Sequence, residues 1–206
     1  LINLFVVVRD KPEQLLELLK SHKELHCKDY YYEIREMDRA ANWEETSDVV
    51  RASRMLYLNK TCFNGLWRGH TKGFFYIPTR DYTKPQIYNP KRLMKASQAL
   101  HGVCIERRDF ESVLDHAQAG DFVYFDPPYV PLNSTSSFTE YSADSFTARD
   151  QEELAYVYRK LDEMGCLVML SNSDTKFVKD LYNGFRIKKV EARRAINSKP
   201  GRRGAI

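Results

Sequence analysis

The residues best suited to chemistry are four in a row, Asp126-Pro127-Pro128-Tyr129. They directly follow the apolar run 122–125, which the sequence predicts as a strand. The Asp126 carboxylate and the Pro127 carbonyl could each accept one N–H of an aromatic amine, leaving the nitrogen lone pair free to attack a methyl donor. The prolines would hold these acceptors in place because they fix φ and lack an N–H, and the Tyr129 ring could stack on a flat base. The alternative is a rigid turn with a structural aspartate.

The elements that must position these residues follow from a change of pattern near residue 100. Downstream of it, short apolar runs alternate with amphipathic stretches, which predicts parallel strands joined by crossover helices. Ligands of such sheets bind beyond the carboxyl ends of the strands, where the tetrapeptide lies. Strands are expected over 102–106, 121–126, 166–170 and 185–192, with 166–170 buried on both faces. Helical segments are expected over 110–117, from a Thr147 cap to Gly165, and around 177–181.

The first hundred residues predict helices and a hairpin. Helices are expected over 12–25, from a cap at 46–48 to about 59, and from Asn89-Pro90 onward. Aromatic residues on both sides of the turn 69–73 predict a hairpin over 63–82. Residues 1–8 fit either a strand, because they are rich in β-branched side chains, or a helix.

Composition excludes several classes of protein. The 206 residues are 43 % hydrophobic and 29 % charged, which is the balance of a folded globular chain rather than a disordered one. The longest apolar stretch, 1–8, is far shorter than the roughly 20 residues that a membrane-spanning helix needs. The four cysteines lie far apart without a CxxC pair, so we expect free thiols rather than disulfides or zinc. We also expect no metal site, and a monomer in the cytoplasm, associated with the nucleoid if the source is bacterial.

Around the tetrapeptide the sequence resembles the Dam family of DNA adenine-N6 methyltransferases, which transfer a methyl group from S-adenosylmethionine. The resemblance implies a Rossmann-like α/β catalytic domain formed by residues 1–25 and 96–206. It also implies an inserted helical and hairpin target-recognition domain over 26–95, and a helix beginning in 1–8. The matching stretches, in family order, are 56–59, 63–68, 120–129, 131–132, 138–141, 145–147, 150–151 and 170–173.

The resemblance also implies roles at the cofactor site. Asp109 would accept the amino group of the donor's adenine, the Phe110 ring would pack on that base, and Asp126 would lie beside the donor. Without the family context, the Asp109-Phe110 pair would be taken as structural. The catalytic residues would be Asp126, Pro127, Pro128 and Tyr129. The family's Phe-x-Gly-x-Gly loop and Lys-Trp-x-Gly-Gly-Lys stretch do not occur here, so we expect the chain to be a fragment that lacks the N-terminal cofactor loop.

Double-stranded DNA is the partner that the resemblance implies, with an adenine flipped out of a GATC site. Phe63 would wedge into the base stack and Asn64 would contact the base left behind. Leu66 and Pro78 would touch thymine methyl groups, and Arg68 would contact a guanine. From the residues alone, the same segment could be an aromatic hairpin packed as core.

Two further features bear on DNA. The family's Phe-Asn-Val-Pro is Phe75-Tyr76-Ile77-Pro78 here, and an expected glycine is replaced within 79–81, which affects the target preference more than DNA binding. The net charge of +4 is uneven, because eight basic residues follow from Arg186 onward against Glu191 alone. This excess predicts a phosphate-binding loop over 197–204, or a solvated surface.

Two other functions stay open from the sequence. Another amino-methyltransferase, acting on RNA, cytosine N4 or protein glutamine, would share the Pro-Pro-aromatic chemistry but would have no reason to match the segment 63–68. A non-catalytic DNA-binding relic would have lost the cofactor loop.

Overall fold

A computed structural model of the chain describes residues 1–67, 73–80, 85–131 and 146–191. The chain divides into two compact units, Leu1–Arg107 and Arg108–Ile206. The first unit is helical, and the second is a small α/β unit. This division describes packing. The predicted division by role, with 1–25 and 96–206 for catalysis and 26–95 for target recognition, stays a prediction.

Helices form the described part of the first unit. Their starts follow the capping signals of the sequence: the Ser47 side chain accepts a hydrogen bond from the Val50 amide at 3.3 Å, and Asn89 accepts one from the Arg92 amide at 3.0 Å. A cap of this kind satisfies an amide that the helix itself leaves unpaired. The three helices predicted from the sequence are therefore confirmed. The α-helices are α1 Ile2–Asp10, α2 Pro12–Leu25, α3 Lys28–Glu36, α4 Asp48–Thr61 and α5 Pro90–Leu100.

Residues 1–8, which fit two secondary structures, belong to a helix. Val7 and Val8 are buried, and α1 packs against α4 and α5. This packing outweighs the weak strand preference of β-branched side chains. Helix α4 lies at the centre of the unit, since it also packs against α2 and α3. The helix start implied by the resemblance is confirmed.

A buried polar cluster lies inside the first unit. His22 is 8 % exposed. Its Nδ1 lies 2.8 Å from the Tyr30 hydroxyl, its Nε2 lies 3.3 Å from Ser53 Oγ, and its ring stacks on Tyr57 at 4.7 Å. Burial lowers the pKa of His22 to about 4. The imidazole is therefore neutral in the folded protein at neutral pH.

Two parallel strands form the sheet of the second unit. Phe122 lies opposite Leu167, and Phe125 lies opposite Leu170. The crossover helix begins with a capping box, in which Thr147 and Asp150 each hydrogen-bond the other's backbone amide. Parallel pairing with a helical crossover was predicted and is confirmed, as is the helical segment after residue 110, here a 3-10 helix over Phe110–Asp115. The elements are β1 Phe122–Phe125, α6 Ala148–Glu163, β2 Leu167–Leu170 and α7 Lys176–Leu181.

Three expectations about strands are wrong. Residues 103–106 form no strand, and the Val103 carbonyl accepts a hydrogen bond from the Arg9 side chain at 2.5 Å instead of a strand amide. In the strand expected over 185–192, residues 185–191 form none, and the sheet of the described residues contains β1 and β2 alone. Residue 192 lies outside the described part of the chain. Strand β2 is buried on one face only: Val168 packs towards α6, whereas Leu167 is 64 % exposed.

The cysteines form no disulfide bonds. Cys27, Cys62, Cys104 and Cys166 are free thiols.

No helix in the described part of the chain combines the length and the apolarity needed to cross a membrane.

The neutral state of His22 predicts an acid-sensitive first unit. Because the folded-state pKa lies below the ordinary value of 6.5, the unfolded chain binds the additional proton as the pH falls from 6.5 towards 4. Each pKa unit is worth about 1.4 kcal/mol, so this site should remove roughly 3 kcal/mol of stability over that interval. The measurement is urea unfolding at a series of pH values.

The matched controls use a second histidine. His22→Gln should reduce the pH dependence of the unfolding free energy, with a remainder from His26, whose pKa burial also lowers. His101→Gln, at an exposed residue after α5, should leave the pH dependence unchanged. Equal acid sensitivity of the wild type and both variants would contradict the assignment.

Candidate functional site

The tetrapeptide lies where the two strands end. Asp126 follows β1 and Ser171 follows β2, and the Ser171 amide donates to the Phe125 carbonyl at 3.1 Å. Because the strands are parallel, their carboxyl ends lie at the same edge of the sheet. The side chains of Asp126 and Ser171 are therefore neighbours although 45 residues separate them.

One hydroxyl connects three side chains at this edge. Ser171 Oγ donates to Asp126 Oδ1 at 2.8 Å and accepts from the Tyr129 hydroxyl at 2.9 Å. The Tyr124 hydroxyl lies 2.8 Å from the same oxygen. Burial is the main cause that raises the pKa of Tyr129, and the charge of Asp126 adds to it. Tyr129 is therefore a hydrogen-bond donor over the physiological pH range.

Two buried amides fix the backbone that follows. Gln151, in α6, donates from Nε2 to the Pro128 carbonyl at 2.8 Å, and its Oε1 accepts from Asn172 Nδ2 at 3.0 Å. Asn172 Oδ1 in turn accepts from the Val130 amide at 3.0 Å. The Pro128 carbonyl is therefore occupied. The Pro127 carbonyl accepts no hydrogen bond from the described residues.

Three residues of the tetrapeptide, Asp126, Pro127 and Pro128, form one side of a cleft of about 490 Å³. Asp109 and Phe110 form another side. The Asp109 carboxylate accepts from the Glu111 amide at 3.3 Å and so caps the 3-10 helix, and the Phe110 ring lies 5.9 Å from the Phe146 ring. The structure brings together the residues proposed for the cofactor and for catalysis, although Tyr129 does not line the cleft itself. The residues that line the cleft include Asp109, Phe110, Asp126, Pro127 and Pro128.

The residues expected to contact DNA belong to the first unit, and three of them meet there. The Phe63 amide donates to the Pro78 carbonyl at 2.9 Å. The side chains of Phe63, Asn64 and Pro78 are exposed, and that of Leu66 is half-buried. Arg68 lies outside the described residues.

The described residues of the segment 63–82 do not form a regular hairpin. One antiparallel bridge joins Cys62 to Thr79, and Phe63–Gly65 is a 3-10 turn. Asn64 and Gly65 have φ of 56° and 64°, a left-handed conformation that a strand does not contain. The expected strand from residue 63 is therefore wrong. Residues 68–72 and 81–82 of the predicted hairpin lie outside the described part of the chain.

Arg80 is a neighbour of this cluster that sequence reasoning missed. Its Nη1 donates to Asn64 Oδ1 at 2.8 Å, and its guanidinium lies 5.9 Å from the centre of the Phe63 ring. In the sequence it stood out only as one of the residues that replace an expected glycine. That departure was the one available signal.

Buried side chains hydrogen-bond the backbone of residues 75–77, just before Pro78. Asp38 accepts from the Phe75 amide at 3.0 Å, and the Tyr31 hydroxyl donates to the Ile77 carbonyl at 2.9 Å. Asp38 also pairs with Arg54 at 2.7 Å, and the side chains of the pair are 10 % and 5 % exposed. The ion pair therefore fixes both the core of the unit and the segment that carries Pro78.

A comparison with known families decides the class of the protein. The sequence model of the family described as D12 class N6 adenine-specific DNA methyltransferase matches residues 1–196. The chain belongs to this family. The resemblance inferred from the sequence is confirmed.

Individual relatives agree with this assignment. The type II methyltransferase M1.LlaDCHI of Lactococcus lactis is 41 % identical over all of this chain and 73 % of its own length. The type II methyltransferase M.MjaIII of Methanocaldococcus jannaschii is 43 % identical over 97 % of this chain and 71 % of its own. The DNA adenine methylase of Escherichia coli K12 is 31 % identical over all of this chain and 73 % of its own.

The donor set of the described residues does not include a cluster suited to a metal. No group of three or more His, Cys, Asp or Glu side chains is placed there to hold an ion.

The ion pair beneath the segment predicts a stability effect. Asp38→Ala should lower the free energy of unfolding by about 3 kcal/mol, because it leaves the buried Arg54 guanidinium without its carboxylate. The measurement is urea unfolding at neutral pH. Glu44→Ala removes an 88 %-exposed carboxylate 3.8 Å from Arg51 and should cost less than about 0.5 kcal/mol. Equal effects of the two variants would show that the buried pair contributes nothing special.

Proposed function

We propose that this chain forms the main part of a site-specific DNA adenine-N6 methyltransferase. The enzyme transfers a methyl group from S-adenosylmethionine to an adenine flipped out of duplex DNA. The observation that carries this proposal is the single cleft that joins Asp109 and Phe110 to the Asp126 loop. The family supports the adenine and the DNA; the cleft supports the arrangement of the reaction. The α/β unit would be the Rossmann-like part of the catalytic domain, and residues 26–95 would recognise the target.

The amine of adenine is a poor nucleophile because its lone pair is delocalised into the ring. Two acceptors would make the lone pair available: the Asp126 carboxylate and the Pro127 carbonyl would each accept one N–H. The neighbouring Pro128 carbonyl is engaged by Gln151, so it does not compete. Binding both hydrogens favours a tetrahedral nitrogen with its lone pair directed away from the acceptors. Fixed acceptors of this kind accelerate a reaction mainly by orientation.

The residues of the cleft fit the methyl donor. A cleft of about 490 Å³ lies within the range usual for small-molecule sites. The exposed Asp109 carboxylate could accept the amino group of the donor's adenine, the Phe110 ring could pack on that base, and Asp126 would face the other end. S-adenosylmethionine supplies an electrophilic methyl group when it is bound there. The protein supplies orientation and removes water from the amine.

Recognition of the target would use the exposed cluster of the first unit. Phe63 would occupy the space of the flipped base, and Asn64 would contact the partner base. Leu66 and Pro78 would pack on thymine methyl groups, and Arg68 would contact a guanine. These roles together would select GATC. The exposure of Phe63, 47 % for a large aromatic side chain, supports the wedge.

Labelled methyl transfer tests the activity and the target together. The full-length protein should transfer label from S-adenosylmethionine to a duplex containing GATC and not to one in which the site is GTTC. Label on both duplexes would keep the chemistry and reject the target. Label on neither, with DNA binding retained, would favour a non-catalytic DNA-binding protein.

A single substitution tests the role of Asp126. Asp126→Ala should lower kcat for methyl transfer by at least about a hundredfold, because one of the two acceptors is lost, while DNA affinity stays within about threefold. The measurement is single-turnover methylation together with a gel-shift titration. Glu152→Ala, at an exposed residue of α6 outside the cleft, should behave as the wild type. Substantial activity of Asp126→Ala would reject the proposed mechanism.

A further inference from the structure

The serine at the end of β2 has no role in the function proposed so far. Ser171 falls within one of the stretches that carry the family resemblance, yet its side chain does not line the 490 Å³ cleft. Its Oγ nevertheless lies within 2.9 Å of three oxygens, those of Tyr124, Tyr129 and Asp126. Three partners on one hydroxyl are the full number that it can hold.

A count of protons settles which way each of these hydrogen bonds runs. A serine hydroxyl has one proton and two lone pairs, and an ionised carboxylate can only accept. The single proton of Ser171 therefore goes to Asp126 Oδ1. Both tyrosine hydroxyls must then donate to the two lone pairs of Ser171 Oγ.

The backbone gives Ser171 little freedom to turn away. Its amide donates to the Phe125 carbonyl at 3.1 Å, and the next residue, Asn172, is 8 % exposed. The side chain of Asn172 bonds both Gln151 and the Val130 amide. The backbone of Ser171 is therefore held on one side by its bond to β1 and on the other by the buried side chain of Asn172.

We propose that Ser171 is the positioning residue of the methyl-transfer site, which fixes the Asp126 carboxylate through Oδ1 and the Tyr129 ring through its hydroxyl. The proposal rests on the amine-binding function of Asp126 given above. With Oδ1 occupied, Oδ2 and the Pro127 carbonyl are the two acceptors for the amine. With its proton committed to Ser171, Tyr129 contributes its ring to the base and not its hydroxyl.

This arrangement predicts a particular division of kinetic effects. Ser171 does not line the cleft and is proposed to act through Asp126, so its loss should leave KM for the donor and for DNA within about twofold. Loss of the hydrogen bond lets the carboxylate rotate out of line, and misplacement of a reacting group by about 1 Å costs up to about a hundredfold in rate. Ser171→Ala should therefore lower kcat by about 10- to 100-fold, whereas Ser171→Thr, which keeps the hydroxyl, should restore kcat to within about fivefold of the wild type.

Tyr124 supplies the matched control. Tyr124→Phe removes one donor to Ser171 but keeps the ring and the Ser171–Asp126 bond. It should keep kcat within about fivefold of the wild type. A serine that served only the packing of the loop would instead give equal losses for the alanine, threonine and phenylalanine variants.

The experiment is steady-state and single-turnover methylation by the full-length protein, with thermal unfolding of each variant. A kcat unchanged in Ser171→Ala, a loss expressed in KM instead of kcat, or no rescue by threonine would each overturn the proposal. If the alanine variant does not fold, Ser171→Cys keeps the shape with a much weaker donor and should show the same loss of kcat. Asp126→Ala is measured alongside: full activity there rejects the proposed function itself, whereas an inactive Asp126→Ala with a fully active Ser171→Ala rejects only the role of the serine.

Discussion

The pairing of two short parallel strands is the constraint on which the candidate active site depends. The register places Phe125 opposite Leu170, so the first residues beyond them, Asp126 and Ser171, become neighbours. A shift of one residue would turn every side chain of a strand to the other face, and the carboxylate and the hydroxyl would part. Helix α6 fixes this register from one side, because Val157 and Leu161 pack in the same cluster as side chains of both strands.

In each unit, buried polar side chains hydrogen-bond the backbone of a candidate functional segment. In the second unit, Gln151 and Asn172 bond the backbone on both sides of Tyr129. In the first unit, Asp38 and Tyr31 do the same for the backbone before Pro78. Buried polar side chains must satisfy their hydrogen bonds, and a loop backbone offers the needed partners. A loop without regular secondary structure thereby acquires the fixed geometry that binding requires.

Short sequence patterns predicted the features that depend on neighbouring residues alone. Helix starts at Ser47, Asn89 and Thr147 follow from capping chemistry, and the place of the tetrapeptide after a strand follows from its apolar run. The strands expected over 102–106 and 185–192 were wrong over the residues that the structure describes, because apolar composition does not say whether a neighbouring strand is there to pair. The contact of Ser171 with Asp126 depends on register across a crossover, which no pattern in the sequence specifies.

Asn64 combines two demands in one residue. Its φ of 56° lies in the left-handed region, where asparagine and glycine are at ease and most side chains cost about 1 kcal/mol or more. The same side chain accepts a hydrogen bond from Arg80 and is exposed next to Phe63. An alanine there would strain the turn as well as delete the amide, so any effect of the substitution would combine the change in the backbone with the loss of the contact. Glycine would separate them, since it relaxes the turn while removing the same amide. Most substitutions of Asn64 would therefore change the shape of the turn together with the contact, and only a residue at ease in the left-handed region would change the contact alone.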